Sequence, residues 1–135
     1  MLKVMWKFNK NVINMPQPWP LWMLLLVALN LVASLFFLGT PEAKVVLVGM
    51  IVSVTLMLTL FARFGYVRLF GIGHAPWLFT IPWLYFCLVE ATTSGPFYYW
   101  LFAVVFFDSI SLVIDTVDVA RYWRGERQTT VNADV

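Results

Sequence analysis

The sequence predicts an all-α integral membrane protein: a bundle of four transmembrane helices preceded by an interfacial amphipathic helix, with both termini cytoplasmic. Composition, apolar runs and the placement of charge predict this fold. Mean hydropathy is +0.82, and of 135 residues 61% are hydrophobic and 12% charged, which is more apolar surface than a water-soluble core of this size can bury. The apolar residues fall into four runs, and eight of the nine Lys and Arg residues lie on one predicted side of them.

Residues 1–15 are predicted to form the amphipathic helix. At about 100° per residue, Lys3, Lys7, Lys10 and Asn14 share one face of it. A helix of this kind lies in the headgroup layer and is attracted to anionic lipids. Three prolines follow within a few residues, so the chain is predicted to turn there into the first apolar run.

Each apolar run approaches the ~20 residues that a helix needs to cross a hydrocarbon layer of about 30 Å. The runs cover residues 20–39, 43–62, 75–91 and 97–117. Helices are predicted because backbone groups find no water at that depth and the alternating pattern of barrel strands is absent. The transmembrane domain with a helical cytoplasmic extension covers 16–125, and 126–135 are predicted to form a polar tail.

The basic residues predict the orientation. The N-terminus, the loop between the second and third runs, and the C-terminus hold all of them except Lys44. This asymmetry predicts that both termini are cytoplasmic, and the short opposite connections at 39–42 and 92–96 fit a bacterial inner (plasma) membrane. The basic charge is expected to contact anionic lipid headgroups and not nucleic acid, which would need a basic face on a soluble domain. Tryptophans near run ends, including Trp77 and Trp100, are predicted to mark the membrane borders.

The fourth run contains the residues whose burial in hydrocarbon would cost the most free energy. Asp108 lies near its middle, Asp115 and Asp118 lie toward its end, and a helix places all three on one stripe with Ser111. Carboxylates in hydrocarbon cost a few kcal/mol, so this stripe is expected to face the bundle interior, a partner or a wet path. The opposite face, which includes Val105, is expected to face lipid or apolar neighbours.

Depth along the runs predicts a polar layer near the membrane midplane. Asn30, Ser53 and Asp108 each lie about halfway along their runs. A hydrogen bond between Asn30 and Asp108 is predicted, because it would satisfy two groups that lipid cannot.

A second polar layer is predicted near the cytoplasmic boundary. Its candidate members are Thr59, Arg63, His74, Asp115 and Asp118. Arg63 is predicted to form an ion pair with Asp115 or Asp118, since guanidinium and carboxylate share two hydrogen bonds. The layer is either a structural clamp or part of a substrate, proton or cation path.

Metal and cofactor chemistry find little support in the sequence. Asp115 and Asp118 have the spacing to share one Mg²⁺ on a lipid diphosphate, but a second acidic cluster and basic phosphate ligands are missing. The single Cys87 makes neither a disulfide within the chain nor a paired-cysteine metal site. No catalytic, cofactor or metal residue is therefore predicted.

Three functions remain open. The first is a non-catalytic subunit or interaction protein of a membrane complex, whose polar stripe docks its own helices, a membrane-protein partner or another copy of the chain. The alternative is a small oligomeric channel or a proton- or cation-coupled transporter that uses the acidic stripe. The third is a metal-dependent lipid transferase.

Overall fold

The computed structural model describes residues 2–65, 68–91 and 94–127, and all regular structure in these ranges is helical. In chain order the elements are α1 (Leu2–Ile13), α2 (Trp19–Val27), a π-helical turn (Ala28–Ala33), α3 (Pro41–Phe64), a 3₁₀ helix (Arg68–His74), α4 (Trp77–Glu90) and α5 (Pro96–Trp123). The predicted all-α class is confirmed. Of the predicted polar tail, residues 128–135 lie outside the described ranges.

Within the described ranges, two helices are long and apolar enough to cross a membrane. They are α3, with 24 residues, and α5, with 28, or about 36 and 42 Å of helix. The 3₁₀ helix and α4 form a third candidate if the pair, bent by 48°, is one span. The first predicted run holds a shorter apolar helix, Trp19–Ala33. The structure therefore supports two or three spanning helices, and the four-span bundle stays a prediction.

The ends of α3 explain how the chain reaches the candidate site. At its start, the Thr40 hydroxyl accepts a hydrogen bond from the Ala43 amide at 3.4 Å, and Pro41 occupies the first turn. At its end, Gly65 has a φ of 71°, a left-handed conformation that favours glycine. The helix therefore ends before Arg68, which begins the 3₁₀ helix.

The 3₁₀ helix lies so close to its neighbours that two of its residues have to be glycine. A Cβ atom on Gly71 would lie 2.6 Å from the carbonyl oxygen of Asp115 on α5. A Cβ atom on Gly73 would collide with the Met57 side chain on α3. The two glycines thus allow the 3₁₀ helix to wedge between α3 and α5, next to the acidic stripe.

The buried core is shared by three helices. Its members are Ala43 and Val46 of α3, Trp77, Ile81, Leu84 and Leu88 of α4, and Trp100, Leu101, Val104 and Val105 of α5. The opposite side of α5 leaves Phe102, Phe106, Val113 and Val117 at least half exposed, as predicted for an outer face. Val105, predicted on the same face, is 8% exposed and packs in the apolar core with α4, which is the second of the two surroundings expected for that face.

Two of the tryptophans predicted at the membrane borders are buried within the chain, and their depth in a membrane stays a prediction. Trp77 is 4% and Trp100 is 5% exposed, so neither presents its ring at an outer surface. The Trp100 indole N–H donates to the Leu29 carbonyl at 3.0 Å. An indole whose N–H has a partner inside the protein no longer needs the polar interface.

The amphipathic helix α1 packs on one end of the other elements. The Phe8 ring lies 5.7 Å from that of Phe61 on α3 and 5.5 Å from that of Phe70 on the 3₁₀ helix, between centroids. No residue of α1 is fully buried. The helix is therefore a peripheral cover over the end of α3 and the 3₁₀ helix.

Candidate functional site

The predicted hydrogen bond between the first and fourth runs is present. The Asn30 side-chain amide donates to Oδ1 of Asp108 at 2.8 Å and to the Leu26 carbonyl at 3.1 Å. Asn30 is 2% and Asp108 is 6% exposed. A carboxyl group is thus held inside the protein by an amide and not by a cation.

Asn30 belongs to the π-helical turn, and this turn changes the hydrogen bonding around it. A π-helix moves backbone bonds out of the α-helical register, and such turns are frequent at functional sites. Two backbone carbonyl groups of the turn accept hydrogen bonds from side chains. The Ser34 hydroxyl donates to the Asn30 carbonyl at 2.6 Å, and the Trp100 indole N–H donates to the Leu29 carbonyl. These bonds fix Asn30 opposite Asp108.

An internal cavity of about 170 Å³ lies beside this pair. Six of the eight site residues singled out by the sequence line it, namely Asn30, Ser53, His74, Asp108, Ser111 and Asp115. The rest of the wall is mainly apolar and includes four methionines, several leucines, Phe8 and Trp77. The midplane layer and part of the second layer therefore meet in one space.

The described residues contain five buried side-chain atoms without a hydrogen-bond partner in the chain, and all five belong to residues that line this cavity. They are Asn30 Oδ1, Ser53 Oγ, His74 Nδ1, Asp108 Oδ2 and Asp115 Oδ2. Each buried polar atom left without a partner costs about 1–3 kcal/mol. The buried polar atoms without a partner in the described residues are therefore concentrated at one cavity.

His74 and Asp115 lie at the end of the cavity nearest the 3₁₀ helix. Nδ1 of His74 is 2.7 Å from Oδ2 of Asp115, and both side chains are about four-fifths buried. At this distance the imidazole nitrogen and the carboxylate oxygen are each other's partners. The buried polar atoms of the cavity that have neither a hydrogen bond nor an ion pair among the described residues are therefore Asn30 Oδ1, Ser53 Oγ and Asp108 Oδ2.

The predicted ion pair of Arg63 is wrong, and Arg68 takes its place. Nη1 of Arg68 lies 2.6 Å from Oδ1 of Asp118, whereas Arg63 is exposed at the end of α3. The reason is the break at Gly65, after which the 3₁₀ helix carries Arg68 back to α5. Thr59 does not join the layer either, since its exposed hydroxyl donates to the Thr55 carbonyl at 2.8 Å.

The pair of Arg68 and Asp118 extends into a small network at the end of α5. Glu126 Oε2 lies 3.5 Å from Arg68 Nε and 2.7 Å from Arg121 Nη2. The hydrogen bond from Arg121 lowers the pKa of the Glu126 carboxyl below its ordinary value. This network lies at the surface, where such pairs contribute little, about 0–1 kcal/mol each.

Sequence reasoning missed several residues of the site. Met5, Phe8 and Asn9 of α1 line the cavity, although this helix was predicted only to lie on the membrane. Its apolar side, opposite the lysines, was the available signal that α1 needs a surface to cover. For Arg68, the signal was the pair of glycines at 71 and 73, which favour a segment in close contact with its neighbours.

No protein-family model, curated protein or solved structure matches this chain. Across the described ranges, no group of three or more His, Cys, Asp or Glu side chains is placed to hold a metal ion. Fold and site together define a helical protein with two or three helices able to cross a membrane and a mainly apolar cavity that contains the carboxyl groups of Asp108 and Asp115.

Proposed function

We propose that this chain is a small membrane channel, or a proton- or cation-coupled transporter, in which the internal cavity receives the proton or cation. One observation carries the proposal: the buried polar atoms that lack partners, in the described part of the chain, all surround this cavity. Ionisable groups buried in membrane helices often mark ion pathways and proton relays. Asp108 is the central group, because it is the most deeply buried carboxyl that lines the cavity.

The proposal includes the four-span arrangement. In this arrangement the helix Trp19–Ala33 is the additional span and comes first in chain order. After it, the amides of Phe36 and Phe37 donate to the carbonyls of Ala33 and Ser34, so the chain continues in hydrogen-bonded turns. Both termini are cytoplasmic in a bacterial inner membrane, as the basic residues predict. The packing of α1 on the end of α3 supports this orientation, since it gathers basic segments at one end.

The polar groups of the cavity form a sequence from this end toward the midplane. His74 and Asp115 come first, and Asp108 lies seven residues earlier on α5, about 10 Å along the helix. Ser53 and Ser111 line the space with them. A cavity of this size holds about five waters at roughly 30 Å³ each, so a proton can pass between His74 and Asp108 through water and hydroxyl groups.

The interpretation as a non-catalytic subunit stays a second prediction, as do a homo-oligomer and a membrane-protein partner. It was based on a stripe that docks the chain's own helices, a partner or another copy. Asp108, Asp115 and Asp118 each contact a side chain from another element of the same chain, which agrees with the first of these and does not call for a partner. For the lipid transferase, Asp115 and Asp118 have separate partners, which gives no support to a shared metal. The geometry favours the pathway.

Flux in proteoliposomes tests the proposal. Purified protein is reconstituted with a pH-sensitive dye inside, a potassium diffusion potential is imposed, and proton entry is followed; sodium and potassium fluxes are measured in parallel. The native chain is expected to exceed empty liposomes for at least one of these ions. Asp108→Asn keeps the size of the side chain but removes its proton, and should lower that flux about tenfold or more.

Glu90→Gln is the matched control, because Glu90 is an exposed carboxyl at the end of α4 and does not line the cavity. Its flux should equal that of the native chain. Circular dichroism and gel filtration confirm that each variant is folded. Flux equal to that of empty liposomes for all three ions, or flux indifferent to Asp108→Asn, contradicts the proposal.

A further inference from the structure

The polar groups of the internal cavity are mainly acceptors. Asn30 Oδ1 and Asp108 Oδ2 are acceptors without a partner, and Asp115 Oδ2 lies 2.7 Å from Nδ1 of His74. His74 is the basic side chain among the described residues that line the cavity, and none of them is a lysine or an arginine. Within the 3₁₀ helix, His74 is paired with Asp115, and Arg68 does not line the cavity and pairs with Asp118. Such a site disfavours anions and suits a group with several donors and a positive charge.

The walls of the cavity add a second requirement. Around the acceptors lie Met23, Met50, Met57 and Leu58, with the Trp77 ring beside them. These side chains make most of the wall apolar and favour a ligand with an apolar body. Aromatic faces also attract organic cations, and methionine adapts its shape to different ligands.

The volume of the cavity limits the size of the molecule that can bind in it. An apolar cavity of about 150 Å³ accommodates benzene, so the 170 Å³ here suits one ring or a short branched chain with a small polar group. α1 supplies Met5, Phe8 and Asn9 to the wall, and Met5 is 40% exposed. The cavity therefore opens to the outside of the chain beside α1.

We propose that the internal cavity binds small organic ammonium ions, that is, primary amines with an apolar body of about the size of a benzene ring. The inference rests on the proposed function in treating the cavity as a cation site, and it adds the chemical class. The ammonium group donates to Asp108 Oδ2 and Asn30 Oδ1, which lie side by side and lack partners in the chain, and the apolar body lies between the methionines and Trp77. The same amines compete with inorganic cations for Asp108.

Three probes of nearly equal shape test the ligand class: 4-fluorobenzylammonium, 4-fluorobenzyl alcohol and 4-fluorobenzoate. Binding to the native protein in lipid nanodiscs is measured by ¹⁹F NMR, with empty nanodiscs as the reference for partitioning into lipid. The ammonium is expected to bind about tenfold tighter than the alcohol, and the benzoate more weakly than both. Equal affinity of the ammonium and the alcohol overturns the proposal without any variant.

Variants then place the binding site. Asp108→Asn should weaken the ammonium about tenfold and leave the alcohol within about twofold. Ser53→Leu fills the cavity and should abolish binding of both, whereas Ser109→Leu on the outer side of α5 should change neither. An unchanged ammonium affinity in both Asp108→Asn and Ser53→Leu contradicts the site.

Binding and flux separate this inference from the proposed function. Ammonium binding without ion flux supports the amine site and contradicts the pathway. Ion flux in a protein that does not distinguish the ammonium from the alcohol supports the pathway and overturns the amine site. If both hold, adding benzylammonium should slow the inorganic ion flux of the native chain.

Discussion

Two parts of the same stripe on α5 have different surroundings. Toward the end of the helix, Asp118 is 35% exposed and pairs with Arg68. Near the middle, Asp108 is 6% exposed, is bonded by the amide of Asn30, and has one oxygen without a partner. The comparison teaches that a row of carboxylates on one helix face is not one functional unit, because pairing and burial change along it.

The two parts of the stripe contribute differently to the stability of the fold. Exposed ion pairs contribute about 0–1 kcal/mol, and they contribute less at high salt. A buried carboxyl without a counter-charge costs far more than an exposed one and is usually stabilised by protonation or by a bound partner. The outer network therefore attaches the 3₁₀ helix to α5 through Arg68 and Asp118. The inner part contains the buried carboxyl group that has an oxygen without a partner.

Of the substitutions considered, Gly71→Val is expected to lower the free energy of unfolding the most and to disturb both parts of the stripe. A Cβ atom at this position meets the Asp115 backbone, and overpacking of this kind costs up to about 3 kcal/mol. The 3₁₀ helix should move away from α5, separating His74 from Asp115 and Arg68 from Asp118. Unfolding in mixed micelles measures the loss, and Gly39→Val, where a Cβ atom meets nothing within 4 Å, is the control.

If Gly39→Val destabilises the protein as much as Gly71→Val, the wedge between α3 and α5 is not the cause. If Gly71→Val destabilises only the outer network and leaves amine binding unchanged, the cavity does not depend on the 3₁₀ helix. The second result would make the two parts of the stripe more independent than the structure indicates.

The next effect concerns the inner part alone. Asn30→Leu leaves both oxygens of the Asp108 carboxyl without a side-chain partner and should lower the free energy of unfolding by about 1–3 kcal/mol. Adding Asp108→Leu should recover part of this loss, because two apolar side chains then face each other. The coupling from the double-mutant cycle is expected at about 0.6–1.7 kcal/mol, the range of membrane hydrogen bonds. Strictly additive effects would contradict the pairing.

The sequence predicted the inner part better than the outer part. Asn30, Ser53 and Asp108 lie in the middle of long helices, where the rise per residue translates position into depth. Lipid also leaves few partners for a buried amide and carboxyl, so their pairing follows from physical necessity. The bounds of α3 and α5 were predictable for the same reason, since apolar runs with proline and glycine at their ends define a helix.

The outer part depended on an irregular segment. Arg63 was chosen because it lies at the same predicted boundary as Asp115 and Asp118, but Gly65 ends the helix and Gly71 lets the chain approach α5 to contact distance. Neither the 3₁₀ conformation nor the π-helical turn has a period that apolar spacing reveals. The cavity could not be predicted from the sequence either. It exists because side chains from several helices leave a space between them, and that depends on how the helices pack.

A smaller effect is expected from Arg68→Gln. Removing its ion pair with Asp118 should lower the free energy of unfolding by about 0.5–1 kcal/mol, and the loss should shrink at high salt. Arg63→Gln removes an equal charge from the exposed end of α3 and should change stability by less than about 0.3 kcal/mol. Chemical unfolding at two salt concentrations compares the variants, and a larger loss for Arg63→Gln would restore the pairing predicted from sequence.

The smallest effect is the titration of Glu126. Its pKa is lowered from the ordinary 4.5, first by the hydrogen bond from Arg121 and then by the positive charges of Arg121 and Arg68. A lowered carboxyl pKa stabilises the folded state above pH 4.5, and that contribution is lost as the pH falls through the folded pKa. NMR of carbon-13 labelled Glu carboxyls should therefore show Glu126 titrating below its ordinary value.

Arg121→Gln provides the contrast that assigns the cause. Without that guanidinium, the midpoint of Glu126 should rise toward 4.5, and a smaller rise should follow Arg68→Gln, because Arg68 lies 3.5 Å away whereas Arg121 lies 2.7 Å away. Because Glu126 is exposed, neither change should alter ion flux or amine binding. A loss of flux in Arg121→Gln would show that the outer network acts on the cavity, and the stripe would then have to be treated as one functional unit after all.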